Sequence, residues 1–282
     1  MTWIGCGSQS LPVLSLKNIS KRFFARERVI NAVQRISLDV ASGEFVTMVG
    51  PSGCGKSTIL NIVSGLMRPT KGTVELDGRP VHGVTREVGY ITQQPNLMPW
   101  RTLIDNVSFP LQIAGVAKSE RNDRAAELIA MVGLAGFEKS YPHELSGGMR
   151  QRANIVRTLI YAPKVMLMDE PFGPLDAQTR VVLQDQLLEI WSRTGVTIVF
   201  ITHDLHEAIG LGDRVVLMSA RPGRIIRIDK VAMSRPRDVF RMHDSGEFRA
   251  LYDTIWEELE CQVRNQRGMR HHEIRHRRKG NL

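Results

Sequence analysis

Lys56 and Ser57 close a glycine-rich run, Gly50-Pro51-Ser52-Gly53-Cys54-Gly55-Lys56-Ser57-Thr58, that matches the spacing G-x-x-x-x-G-K-[ST]. The chemistry this spacing supports is phosphate binding. Its glycines let backbone N–H groups curl around phosphate oxygens, Lys56 reaches the β and γ positions, and the Ser57 hydroxyl can ligate Mg²⁺. The flanks agree, since Glu44 to Val49 reads as a buried strand and Ser57 to Val63 as the start of an apolar-faced helix. That helix would aim its positive dipole end at the phosphates. The same dipole, with Lys56 nearby, predicts a Cys54 thiol of lowered pKa and raised reactivity.

Other residues could complete a phosphoryl-transfer site. Asp169 and Glu170 end the apolar strand Val165 to Met168, the Walker B form: Asp169 would help hold Mg²⁺, and Glu170 would orient or deprotonate an attacking water. His203 follows the strand-like Val199 to Thr202 and could hydrogen-bond a γ-phosphate and the water. Gln93, after Val88 to Thr92, offers a neutral amide that can touch Mg²⁺ or the water and swing away, although alone it carries no meaning. Leu145-Ser146-Gly147-Gly148 is a Gly-Gly turn opening a helix over Met149 to Ala162, a second anion-binding N-terminus in a chain that already has one.

The elements that must position these groups follow from hydrophobic periodicity. Val13 to Lys17 and Val33 to Val40 read as strands of an antiparallel layer, Gly72 to Asp77 and Val88 to Thr92 as further strands, and Leu103 to about Tyr161 as a helical lobe with an amphipathic piece at Glu120 to Met131. Strands return at Val165 to Met168, Thr197 to Ile201 and Arg214 to Met218, separated by a helix from about Ala177 to Ser192. Strand-helix-strand order predicts an α/β fold with a parallel sheet covered by helices.

Composition sets the limits. A chain of 282 residues with 42% hydrophobic content can bury one large core with a smaller lobe beside it. Its longest apolar runs fall far short of the ~18–20 residues that cross a bilayer, and the stretch Met1 to Ser15 lacks the charge and apolar core of a signal peptide. A cytoplasmic protein is expected. The three cysteines, Cys6, Cys54 and Cys261, are widely spaced and suggest neither a disulfide framework nor a zinc site. The net charge of +9 is concentrated in residues 262–282, where seven Lys or Arg face one acid. A basic tail after a balanced body reads as a solvated end, as an attraction to anionic membrane, or as a nucleic-acid arm, in that order.

In order and approximate spacing, the glycine run, Gln93, Leu145 to Gly148, Asp169-Glu170, Leu175-Asp176 and Thr202-His203 resemble the ATP-binding-cassette (ABC) ATPases, over roughly Leu14 to Ile228. The resemblance implies a P-loop NTPase with a RecA-like parallel sheet core, an antiparallel β layer and a helical signature subdomain at about 103–162. A C-terminal helical extension would span 229–261 and a disordered basic tail 262–282. It implies two copies packed head to tail, with Ser146, Gly147 and Gly148 of one closing over the γ-phosphate held by the other's loop, and Asp176 in the loop joining the two sites. Phe23 sits where the family stacks an aromatic on adenine; Phe24 and plain core packing are the alternatives. Met149 and Pro174 depart from the usual pattern, and Pro174 would stiffen its loop.

Gln93 to Trp100, Phe172-Gly173 and Ser219 to Ile225 resemble the nitrate, sulfonate and taurine uptake group, at segments expected to dock a membrane subunit; Arg235 to Arg237 and Asp244 to Glu260 resemble that group's C-terminal extension. The reading is therefore a homodimeric ATPase using ATP and Mg²⁺, peripheral on the cytoplasmic side of the inner membrane. It would power permease subunits fed by a periplasmic or extracellular solute-binding protein, for a small anion such as nitrate, a sulfonate or taurine, with no nucleic acid and with a tail dispensable for hydrolysis. The alternatives are a soluble ABC ATPase acting on DNA or ribosomes, and a P-loop kinase or GTPase, which would leave the second Gly-Gly turn unexplained.

Overall fold

The computed structural model describes residues 12–25 and 28–279. Cys6 and most of the N-terminal stretch tested for a signal peptide lie outside them. The chain opens with β1 (Leu14–Ala25) and β2 (Arg28–Val40), paired antiparallel. Both reach further toward their connecting turn than the sequence predicts, because the distal part of β2 is exposed and shows no apolar alternation. β3 (Phe45–Val49) leads through the glycine run into α1 (Lys56–Val63). β4 (Lys71–Leu76) and β5 (Arg79–Pro80) complete a four-stranded sheet of order β2-β1-β4-β5.

After β6 (Val88–Ile91) come α2 (Leu103–Ile113), α3 (Lys118–Met131) and α4 (Gly147–Leu159), all within the stretch read as helical. Then β7 (Val165–Asp169), α5 (Ala177–Thr194), β8 (Thr197–Ile201), α6 (Leu205–Leu211), β9 (Arg214–Met218), β10 (Ile225–Lys230) and α7 (Gly246–Lys279) follow. The sequence reading had no counterpart for α6, which has only seven residues, or for β10, whose Ile-Ile-Arg-Ile-Asp-Lys is interrupted by charges at Arg227, Asp229 and Lys230.

The second sheet has the order β10-β9-β3-β8-β7-β6 and is parallel except for β10. Each parallel strand is buried on both faces, which is why it reads as a continuous apolar run. The two-residue period still sorts the side chains. Val46, Met48, Val165, Leu167, Val199 and Ile201 share a cluster with β1, β2, β4 and α1. Phe45, Met166, Met168, Ile198 and Phe200 share one with α2 to α5. Leu103, Val107, Ile129 and Val156 belong to that second cluster, so the helical lobe is continuous with the sheet's core.

A third cluster joins Val49, Val215 and Leu217 to α6 and α7 through Ile209, Phe248, Ile255 and Leu259. Here the structure differs from the boundary drawn at Cys261: α7 continues to Lys279 without a break. No proline follows Pro236 to stop it, and an i,i+4 pair between Glu260 and Arg264 at 2.6 Å spans the expected boundary. Val263 packs on the third cluster, and the Gln262 side-chain oxygen accepts from the Ala220 backbone N–H at 3.3 Å. A chain ending at Cys261 should therefore melt about 2–4 °C below one ending at Arg264, as about 1 kcal/mol of packing and hydrogen bonding is lost. Calorimetry of the two truncations checks this; equal melting temperatures would place the functional end of the helix before Gln262.

Candidate functional site

The glycine run turns at Gly55, whose φ of 106° is open to glycine at little cost and whose Cβ, if present, would lie 2.5 Å from Val33 Cγ1. Beneath the loop Lys56 is 6% exposed, and its ammonium donates to the loop's own carbonyls, Gly50 O at 2.7 Å and Pro51 O at 3.3 Å. Ser57 Oγ donates to Asp169 Oδ1 at 3.1 Å, so the last residue of β7 reaches the first turn of α1. Burial pushes the Asp169 carboxyl up from its usual range, against the Ser57 hydrogen bond that favours the charged form. A hydroxyl and a carboxylate so placed are the hard oxygen donors that Mg²⁺ takes alongside phosphate oxygens. Among the described residues no cluster of three or more His, Cys, Asp or Glu could hold a metal by itself.

Glu170 adopts φ 46°, a left-handed conformation uncommon outside glycine, and its N–H donates to Ile201 O at 3.0 Å. That turn brings its carboxylate to His203, with Oε2 3.0 Å from Nδ1. The pair joins the ends of β7 and β8. A cleft of about 380 Å³ runs from Glu170 past Ser52, Gly53, Lys56, Ser57 and Thr58 to Phe23, Ile30 and Ala32. Of the two aromatic candidates, Phe23 lines this cleft, with Lys21 Nζ 5.4 Å from its ring centre, while Phe24 is 77% exposed and does not line it. The cleft thus offers an aromatic wall at one end, backbone amides and cations along it, and an acid–imidazole pair at the other.

The remaining predicted residues lie elsewhere in the chain. Ser146 caps α4, its Oγ accepting from Met149 N at 3.2 Å. Gly147 and Gly148 face Leu175 and Thr179 at the start of α5, and Asp176 caps that helix by accepting from Thr179 N at 2.9 Å, which holds its carboxyl below the usual range. None of these four lines the cleft. Gln93 is exposed and lies against Gly173, and among the described residues no hydrogen bond joins it to Ser57 or Asp169.

Three residues at the site escaped the sequence reading. Tyr90 OH donates to Asp169 Oδ2 at 3.4 Å. Buried Glu207 accepts from Gln184 Nε2 at 2.9 Å and from the Thr202 hydroxyl, tying the residue before His203 to α5; burial raises its pKa. Arg221 lines the cleft and donates to Gly53 O from Nη2 at 3.1 Å. Through Arg221, the segment Ser219 to Ile225 that was expected to dock a membrane subunit meets the phosphate loop. Gly223 bonds to β2 through Ala32 O and Gln34 N, each at 2.9 Å, and a Cβ there would lie 2.0 Å from Cys54 O. The segment therefore packs on the phosphate loop.

Cys54 needs a correction. Its side chain is fully buried, and burial outweighs Lys56 and the local backbone, pushing the thiol up. At neutral pH less of it is thiolate than in a free cysteine. In a variant lacking Cys6 and Cys261, maleimide labelling of native protein should be at least about tenfold slower than for a free thiol, and rise with pH above 8. Rapid labelling at pH 7 would show that Cys54 is exposed and ionised.

Comparison with known proteins agrees with this geometry. Residues 33–173 match the ABC transporter family. The chain is 50% identical over 225 residues to an uncharacterized ABC transporter ATP-binding protein of Methanocaldococcus jannaschii, covering 80% of this chain and 84% of that one. It is 48% identical over 195 residues to a taurine import ATP-binding protein of Yersinia pestis, covering 69% and 76%. Among solved structures, a dimeric ATP-binding cassette in a post-hydrolysis state with ADP and Pi aligns at TM-score 0.69 and 34% identity, covering 78% of this chain and all of that one. Phosphate loop, Walker B acids, signature turn and fold together make this chain a member of the ABC transporter family, an ATP-binding subunit with ATPase chemistry.

Proposed function

We propose that this subunit hydrolyses MgATP as a head-to-tail homodimer and drives an importer from the cytoplasmic face of the membrane. The observation that carries the reading is the division of the site. One chain supplies the phosphate loop with its Glu170–His203 pair, while its signature turn and Asp176 lie outside that cleft. A second copy is what can bring Ser146 to Gly148 over the nucleotide, and the dimeric cassette structures support that arrangement. Relatives named as transporter subunits leave the soluble nucleic-acid or ribosome reading without support.

In this reading Phe23 stacks on adenine, and residues 50–58 wrap the phosphates through backbone N–H groups and Lys56. Lys56 exchanges its carbonyl partners for phosphate oxygens. Ser57 and Asp169 would hold Mg²⁺, which would neutralise phosphate charge, and Gln93, in the loop beside Gly173, would turn its amide to the metal or the water. Glu170 orients the attacking water and takes its proton, and His203, fixed through Nδ1, presents its other nitrogen toward the γ-phosphate.

Among the described residues no helix is long and apolar enough to cross a membrane, and in this reading permease chains make the crossing. A groove of about 400 Å³ edged by exposed Leu66, Val84 and Ile113, with Tyr161 at its wall, suits a helix of such a permease. A solute-binding protein would feed it. The taurine import relatives from Yersinia pestis and Rhizobium johnstonii support a small sulfonate or similar anion as solute. That selectivity would lie in the partners, because no residue of this cleft meets the solute.

Two measurements test the reading. Glu170→Gln should cut the turnover of the assembled transporter by about 10²-fold or more while leaving ATP affinity intact; near wild-type turnover would remove Glu170 from the chemistry. A strain lacking this subunit should fail to grow with taurine or an alkanesulfonate as sole sulfur source, or with nitrate as sole nitrogen source. Unchanged growth on all three, with no redundant importer present, would eliminate this solute class and leave the ATPase assignment standing.

A further inference from the structure

Arg221 reaches the cleft from a loop that the phosphate-binding motif does not include. The loop is closed on itself: Ser219 N donates to Arg224 O at 2.9 Å, Arg224 N to Ser219 Oγ at 3.0 Å, and Ser219 Oγ to Pro222 O at 3.1 Å. It is fastened to β2 by the two Gly223 bonds and by Arg224 Nη2 donating to Gln34 Oε1 at 2.6 Å, and to α7 by Gln262. So fixed, the loop holds Arg221 over Gly53, in the wall shared with Phe23, Ser52, Lys56 and Ser57.

The guanidinium spends two donors, Nε at 3.3 Å and Nη2 at 3.1 Å, on a single acceptor, Gly53 O. Among the described residues it has no carboxylate within ion-pair distance, unlike Arg180, Arg214 and Arg235. A planar fork with five donors is matched to paired oxygens of carboxylate or phosphate, and one carbonyl leaves Nη1 unused. Lys56 is the other cation of the cleft wall, and Glu170 its acid. Even with Mg²⁺ bound, a nucleoside triphosphate keeps a net negative charge, which one lysine and the partial charge of a helix terminus offset incompletely.

Resting on the reading of this cleft as the ATP site, we propose that Arg221 is a second cation of that site. It binds the phosphate chain of the nucleotide held by its own subunit's loop, while bracing that loop through Gly53.

The test is ATP binding by calorimetry to the full-length subunit, across a salt series, for wild type, Lys56→Ala, Arg221→Gln and Arg221→Lys. Arg221→Gln should weaken ATP about tenfold, the worth of one charge-assisted contact. It should also flatten the dependence of affinity on salt, and Arg221→Lys should restore most of both. A brace without phosphate contact would leave the salt dependence unchanged or be lost equally in the lysine variant, and either result overturns the proposal, as does ATP affinity within twofold of wild type in Arg221→Gln. Should Arg221→Gln not fold, Arg221→Met takes its place: a salt slope flatter than that of wild type upholds a charge contact, and an unchanged slope overturns it. Lys56→Ala separates the two readings, since unchanged ATP binding there would mean that the cleft itself is misassigned.

Discussion

The parallel register of five neighbouring strands is the constraint on which the cleft depends. β9, β3, β8, β7 and β6 run in one direction, with Val49 beside Leu217, Met48 beside Ile201, Asp169 beside Ile201 and Ile91 beside Met168. Their carboxyl ends therefore finish at one edge, and whatever follows each strand is delivered there. The phosphate loop follows β3, Glu170 follows β7, His203 follows β8, Gln93 follows β6 and the Arg221 loop follows β9. A slip of one residue in any pairing would reverse which face each side chain meets and would move the residue that follows the strand by one residue's rise. The double-sided apolar burial of these strands holds that register, so the chemistry of the edge is secured by the packing of the middle.

The same edge explains why cations dominate a pocket built without substrate-shaped side chains. Lys56 sits under its own loop, where its donors go to the Gly50 and Pro51 carbonyls and not to an acid. The carboxylates are arranged differently. Asp169 is supported by hydroxyls from Ser57 and Tyr90, and Glu207 by Thr202 and Gln184, so each of these acids is held by uncharged donors and takes up no cationic side chain. This arrangement leaves positive charge for an anionic ligand instead of cancelling it within the protein.

What the sequence revealed and what it hid divide along a physical line. Gly50 to Thr58, Asp169-Glu170 and Leu145 to Gly148 were legible because their form is written in local spacing: a loop that curls on itself, an acid at a strand end, a turn opening a helix. Tyr90, Glu207 and Arg221 act across the fold, Arg221 meeting Gly53 from 168 positions away, and no local pattern marks such a partner. Cys54 was misread because its neighbours in sequence are polar while its neighbours in space bury it. The end of α7 was misplaced because composition changes at Gln262 while helix propensity and contact with the Ala220 loop do not. Phe23 and Phe24 are adjacent in sequence, and only the placement of β1 against the loop separates them.

The backbone of Glu170 carries a further consequence. A glutamate held at φ 46° costs about 1 kcal/mol relative to the same position occupied by glycine. Selection for stability alone would favour glycine there, and with Glu170 in the role proposed for it, selection for turnover would oppose that replacement. A descendant of this chain that kept the fold but lost its role as a motor would be released from that opposition. Replacement of Glu170 by a small, left-handed-tolerant residue, with the glycine run intact, would be the mark of a cassette retained for binding nucleotide and no longer for spending it.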